Sequence, residues 1–276
     1  MKPLRACCAK FIASFFALLA SGCATLPGTT TAQIGNRRVE YAMVSHDTVP
    51  VVFENGLGAT MAYWKKVFPE IAREYTAFAY NRPGYGKSDP VSTPRDGAHV
   101  VDELRTLLQN AGLKPPYILV GHSLGGLYMQ QFARRYPSEV AALVLVDSTH
   151  PNQAKGKGAP ENWPAWFRLL FKVAASDVVK NEMGALDTTG EAVLNLPPFT
   201  GKPVILLSAL QPMNDKSELA LDANEKRKDL SRLYPGAKQV WVDSGHNMQR
   251  EKPEAVIAAI REVLSLSARE GPASLK

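Results

Sequence analysis

Two residues of this chain are of the types and in the settings that nucleophilic chemistry requires. Ser123 lies in Gly121-His-Ser-Leu-Gly125, followed by Gly126, and His246 lies far downstream after Gly245. A serine hydroxyl is a weak nucleophile at neutral pH, so a base must take its proton during attack. An imidazole, with an ordinary pKa of ~6.5, can accept that proton and hand it on. The glycines two before and two after Ser123 suit a serine held on a sharp, strained strand-to-helix turn, where a bulky neighbour would clash.

A bare Gly-x-Ser-x-Gly also arises by chance in loops, so the flanking elements decide its meaning. Residues 117–120 (Tyr-Ile-Leu-Val) read as a buried strand, and residues 124–136 as a helix ended by Pro137. Ser123 would then stand above a sheet at a helix N-terminus, whose dipole favours negative charge. Further short apolar runs at 39–44, 50–54, 76–80, 141–146, 203–207 and 238–242 read as strands. They are continuous rather than alternating, which marks strands covered on both faces and hence a mostly parallel sheet flanked by helices. Helical spacing recurs at 60–73, with Trp64, Val67, Phe68 and Ile71 on one face, and at 100–110 and 254–266. Residues from about 150 to 200 break the rhythm. They are rich in Pro and Gly and hold a helical patch at 163–173, so they read as a small helical cap lying over the carboxyl edge of the sheet.

Four motifs in order now resemble the α/β-hydrolase family. Asn55-Gly-Leu-Gly58 stands where that family commonly has His-Gly. Asn81-Arg-Pro-Gly-Tyr-Gly-Lys-Ser88 looks like the loop after its next strand, Gly121–Gly126 like its nucleophile elbow, and Gly245-His246 like its histidine loop. The resemblance covers residues 33–270 and implies an α/β fold: a mostly parallel central sheet, flanking helices and the cap insertion. It implies an oxyanion hole from the backbone N–H groups of Leu124 and Leu57, with Gly56 allowing close approach. It also implies an acid between Ser123 and His246 in chain order. The family's usual place for it, after strand 203–207, holds Gln211 instead, and Asp215 further on also fits a helix cap. Asp147, directly after strand 141–146, is the preferred acid, with Asp215 the alternative. Asp243 is too close in sequence to come around behind the His246 ring.

Composition and the first residues bound the rest. Among 276 residues, 45% are apolar and 21% charged, which suits one large domain. Lys2, Arg5 and Lys10 precede an apolar run at 11–20, too short to span a bilayer but right for a signal-peptide core. Leu19-Ala-Ser-Gly-Cys23 resembles a bacterial lipobox, which implies cleavage after residue 22 and lipidation of Cys23. The plainer alternative is a secretory signal cut near Ala24. Either reading expects export to the cell envelope. The lipobox reading adds a lipid anchor on the periplasmic side or at the outer membrane, with 23–32 as a tether. The three cysteines, Cys7, Cys8 and Cys23, all lie in this leader, so no thiol chemistry is expected of the domain.

The formal charge of +6 flatters the domain: without Lys2, Arg5 and Lys10, the 32 Lys and Arg fall to 29, against 26 Asp and Glu. They form no basic stripe interleaved with aromatics, so no nucleic-acid partner is expected. No His/Asp/Glu cluster has metal-ligand spacing, so neither metal nor other cofactor is expected. A serine at the elbow, where related dehalogenases and epoxide hydrolases carry aspartate, points to acyl chemistry. The expected activity is hydrolysis of small to medium apolar carboxylic esters through an acyl-Ser123 intermediate. Amidase, aminopeptidase or carbon–carbon hydrolase chemistry, and a non-catalytic ligand-binding member, are the alternatives.

Overall fold

Strand parity explains the architecture. In the computed structural model, which describes residues 25–210 and 217–269, successive residues of the central strands point to opposite faces, and both faces are dry. Val51 and Phe53, Ile118 and Val120, and Val144 and Val146 join one core cluster; their neighbours Val52, Leu119, Leu143 and Leu145 join the other. A strand with two apolar faces needs helices on both sides of the sheet.

Among the described residues the strands are β1 (Thr29–Ile34), β2 (Arg37–Val44), β3 (Val51–Glu54), β4 (Ala77–Tyr80), β5 (Tyr117–His122), β6 (Val140–Val146), β7 (Val204–Ala209) and β8 (Lys238–Val242). They form one sheet in the order β1-β2-β4-β3-β5-β6-β7-β8. Strands β3 to β8 are parallel, while β1 and β2 run antiparallel at one edge. This is an α/β-hydrolase fold. The chain steps outward from β3 to β4, then returns to the other side of β3 as β5. The gap between the ends of β3 and β5 is therefore a topological switch point, where open α/β sheets bind ligands.

Helices α1 (Phe68–Ile71), α2 (Gly97–Asn110) and α3 (Leu124–Arg135) come first in the chain. The cap, between β6 and β7, holds α4 (Ala165–Ala174), α5 (Asp177–Gly184) and α6 (Leu186–Asn195). Then follow α7 (Glu218–Asp229), α8 (Met248–Glu251) and α9 (Pro253–Arg269). Helix α9 covers one face of the sheet with Val256, Ile260 and Val263. Helices α2 and α3 cover the other with Leu104, Leu108, Met129 and Phe132. Truncating a core aromatic such as Phe132 to alanine would cost ~3–5 kcal/mol.

Two expectations are corrected. Residues 23–32 do not form a tether throughout, because Thr29–Ile34 is strand β1, paired with β2 through a Gly35-Asn36 turn. The threonines that suggest a linker are β-branched and favour a strand once a partner edge exists. Gly35, at φ 61, provides the left-handed turn conformation. Residues 60–73 are not one helix either, but a 3₁₀ turn at Met61–Trp64 and the short α1. Pro69 sits in the first turn of α1 and marks a fresh helix start there. Trp64, Val67, Phe68 and Ile71 are nonetheless all fully buried. The leader with Cys23, and Asp215, lie outside the described residues.

Candidate active site

Ser123 sits between β5 and α3 at φ 53 and ψ −124, a conformation that costs a non-glycine residue ~1–3 kcal/mol. Its surroundings hold it there. Its N–H donates to Val146 O at 3.1 Å, and its carbonyl accepts from Gly126 N at 2.9 Å and Thr149 N at 3.0 Å. The glycines of the motif are required by contact: a Cβ on Gly121 would lie 2.6 Å from Gly125 O, and one on Gly125 would lie 2.4 Å from Asn55 O. Gly126 packs equally tightly, since its Cβ would fall 2.2 Å from Ser148 Oγ.

His246 follows β8 in a loop fixed by a 2.6 Å bond from Gly245 N to Glu251 Oε2. Its Nε2 lies 3.0 Å from Ser123 Oγ and its Nδ1 2.5 Å from Asp147 Oδ2. Asp147, at the end of β6, also has a positive φ of 39 and a fully buried carboxylate. The carboxylate accepts from Ala209 N at 3.2 Å and from Arg227 Nε at 2.9 Å and Nη2 at 3.3 Å. Burial alone would raise its pKa, but the hydrogen bond and charge of His246 and the charge of Arg227 outweigh that and hold it well below the usual range. A carboxylate so held stays ionised and fixes the imidazole with its Nδ1 proton toward Asp147, leaving Nε2 to face Ser123.

Leu57 and Leu124 both line the cavity beside Ser123. Leu124 opens α3, so its N–H has no intrahelical acceptor. Gly56 precedes Leu57, and a Cβ there would come within 3.2 Å of Ser123 Cβ and 3.0 Å of His122 Nδ1. His122 is a supporting residue: its Nε2 lies 2.9 Å from the His246 carbonyl, and the two rings are 4.8 Å apart. Burial, followed by the neighbouring His246, pushes its pKa down to about 3, so it is neutral and donates from Nε2. Of the remaining histidines, His150 lines the cavity, whereas His46 bonds Ala72 O and His99 pairs with Asp96. Among the described residues no group of three or more His, Cys, Asp or Glu could hold a metal ion.

Two site residues escape sequence reasoning. Arg227 sits in Lys226-Arg227-Lys228, which reads as an ordinary basic last turn of a helix. Glu182, on α5, is fully buried and grips Arg82 at 2.7 and 2.9 Å. Arg82 in turn donates to Glu54 Oε1 at 2.7 Å, Asn55 O at 2.6 Å and Gly56 O at 2.9 Å. An acid in an amphipathic cap carries no sequence signal of burial. The cap is thus tied by one ion pair to the loop that carries Leu57.

Above Ser123 lies a cavity of about 230 Å³. Trp163, Phe167, Met183 and Leu186 of the cap and Leu219 and Ala223 of α7 make its walls apolar. Among the described residues its one lining carboxylate is Asp147, already engaged by His246 and Arg227.

Comparison with known proteins bears on the family and the fold. The family described as the alpha/beta hydrolase fold matches residues 49–220. The Bacillus subtilis protein YqjL is 36% identical over 219 residues, 78% of this chain and 83% of that protein. The human (lyso)-N-acylphosphatidylethanolamine lipase is 30% identical over 139 residues, 46% of this chain and 39% of the lipase. A thermophilic esterase from Thermogutta terrifontis superposes with a TM-score of 0.58 at 21% identity, over 87% of this chain and 97% of the esterase, a likeness of fold alone.

Proposed function

The chain belongs to the α/β-hydrolase fold family, and within it we propose that it is a serine hydrolase cleaving carboxylic esters of small to medium apolar substrates. The observation that carries the reading is the line Ser123–His246–Asp147, at 3.0 and 2.5 Å, beneath an apolar cavity. His246 Nε2 takes the Ser123 proton as Oγ attacks the ester carbonyl carbon. The resulting oxyanion is bound by the Leu124 and Leu57 N–H groups, and Asp147 stabilises the imidazolium. His246 returns the proton to the departing alcohol, leaving acyl-Ser123. Water, deprotonated by His246, then attacks the acyl carbon; the bond from that carbon to Ser123 Oγ breaks, the imidazolium returns its proton to Oγ, and the acid leaves. The human lipase relative, whose named substrate carries acyl chains, supports an apolar acyl group.

An aminopeptidase would need a carboxylate for the substrate amine, and among the described residues the one that lines the cavity, Asp147, is already engaged by His246 and Arg227. The test is fluorophosphonate labelling of the protein, with hydrolysis of p-nitrophenyl esters from acetate to decanoate. Stoichiometric labelling lost in Ser123→Ala, with turnover peaking at one chain length, is expected. Labelling without ester turnover would move the reading to amide or carbon–carbon chemistry, and no labelling of the folded protein would favour a binding role. We also propose that the leader directs export and that Cys23 is lipidated. Incorporation of labelled palmitate, lost in Cys23→Ser, tests this.

A further inference from the structure

Helix α4 is apolar over more of its circumference than the fold uses. Phe167 faces inward and lines the cavity, its ring tilted against Trp163 and edge-on to Trp166 at centroid distances of 5.2 and 5.7 Å. Yet Trp166, Leu169 and Val173 remain 41%, 64% and 75% exposed. Their spacing places them in one stripe along the outer side of the helix. No acidic residue lies between Glu161 and Asp177, while Arg168 and Lys172 do, and Lys172 borders the stripe. A stripe of three side chains is far short of the ~800 Å² per partner that a stable protein interface buries, and such interfaces are depleted of lysine. An apolar stripe edged by cations instead matches a helix lying in the plane of a bilayer, with lysine and arginine reaching anionic headgroups.

We propose that α4 docks this protein on an anionic lipid surface, inserting Trp166, Leu169 and Val173 among the acyl chains. The inner side of the same helix roofs the cavity, so docking sets the site against the membrane and makes membrane-held esters its substrates. That last step rests on the ester-hydrolase reading, whereas the docking itself does not.

The test uses the full chain with vesicles of phosphatidylglycerol carrying brominated acyl chains, which quench only tryptophans that enter the bilayer. The tryptophans are Trp64, Trp163, Trp166 and Trp241, and the leader has none, so an anchored leader gives no signal of its own. Quenching is expected, falling several-fold in Trp166→Phe and weakening in high salt. Leu169→Glu should lower turnover of a vesicle-held ester by about tenfold or more, the worth of one buried leucine, with soluble-ester turnover unchanged. Equal quenching in wild type and Trp166→Phe would overturn the proposal. So would a lipid-free dimer that Leu169→Glu dissociates, which would assign the stripe to a second copy. Quenching at Trp166 without turnover of any ester would leave docking standing and remove the ester reading instead.

Discussion

Replacing Arg82 by methionine should damage stability and catalysis together, and the structure says by how much. Arg82 is 1% exposed and spends its guanidinium on Glu54, Glu182 and the carbonyls of Asn55 and Gly56. The rings of Tyr85 and Tyr128 lie 5.0 and 5.4 Å from its centre. Burial opposes its charge, but Glu182 and Glu54 more than offset this, so it stays protonated. Methionine fills much of the volume yet leaves two buried carboxylates facing one another without a cation. Breaking such a pair from one side costs ~3–5 kcal/mol. For a domain of this size each kcal/mol moves Tm by ~2–4 °C, so a fall of roughly 6–20 °C is expected. The catalytic effect has a separate cause. The Gly56 carbonyl belongs to the same peptide unit as the Leu57 N–H, so a donor gripping the oxygen fixes the direction of the N–H that is proposed to bind the oxyanion. Losing an oxyanion donor outright costs ~10²–10³ in kcat, and misaiming one should cost roughly tenfold, with KM little changed. Urea unfolding and p-nitrophenyl ester kinetics measure the two. Adding Glu182→Leu should recover part of the stability but none of the kcat. A single variant within 1 kcal/mol and twofold in kcat of wild type (roughly the scatter of surface changes) would refute the reasoning.

Three further outcomes follow from the site. Because His122 titrates near 3 when folded and ~6.5 when unfolded, the unfolded state binds its proton first as pH falls. Its contribution to stability is complete above ~6.5 and is lost at ~1.4 kcal/mol per pH unit on the way down. His122→Gln should therefore flatten the fall in urea midpoint between about pH 6 and about pH 4 relative to wild type, and an unchanged slope would count against the assignment. Gly125→Ala would drive a Cβ within 2.4 Å of Asn55 O and 2.7 Å of Glu54 O, both backbone atoms. It should lose ~1–3 kcal/mol and most fluorophosphonate labelling; retention of both would mean that the elbow has slack. Arg227→Met removes two of the four hydrogen bonds that the Asp147 carboxylate accepts from the described residues and should lower kcat by about tenfold, with Arg227→Lys recovering part of it. Equal kcat in all three proteins would make Arg227 a surface ion pair only.

What the sequence made legible follows from what leaves a periodic or local trace. The buried strands show because apolar runs are local, and the elbow shows because its glycines answer to contacts within a few residues and at the end of β3. The preference for Asp147 over Asp215 rests on its place directly after a buried strand, and the structure sets Asp147 behind the His246 ring; which strand end lies there is a long-range matter that leaves no local trace. Periodicity also overreached at residues 60–73. It registers which side chains are buried, as Trp64 and Ile71 are, but not whether the hydrogen-bond ladder runs unbroken between them. At Thr29–Ile34 the reverse holds: a strand half-exposed at a sheet edge has neither a dry run nor a clean alternation to show.

Arg227 and Glu182 belong to a different class, and they share a logic. Each reaches Asp147 or Arg82 across about a hundred residues or fewer, from a helix whose local pattern looks solvated. In each case the charge is meaningful only because another buried charge awaits it. Asp147 sits ionised and fully buried directly after β6 between two partners, His246 on one side and Arg227 on the other. Arg227 supplies a cation that does not titrate, so the carboxylate keeps a constant partner while His246 cycles. Glu182 does the same for Arg82, which grips the carbonyls of the loop that carries Leu57. The cap and α7 therefore do more than wall the cavity. They also carry the charges that partner the buried Arg82 and Asp147.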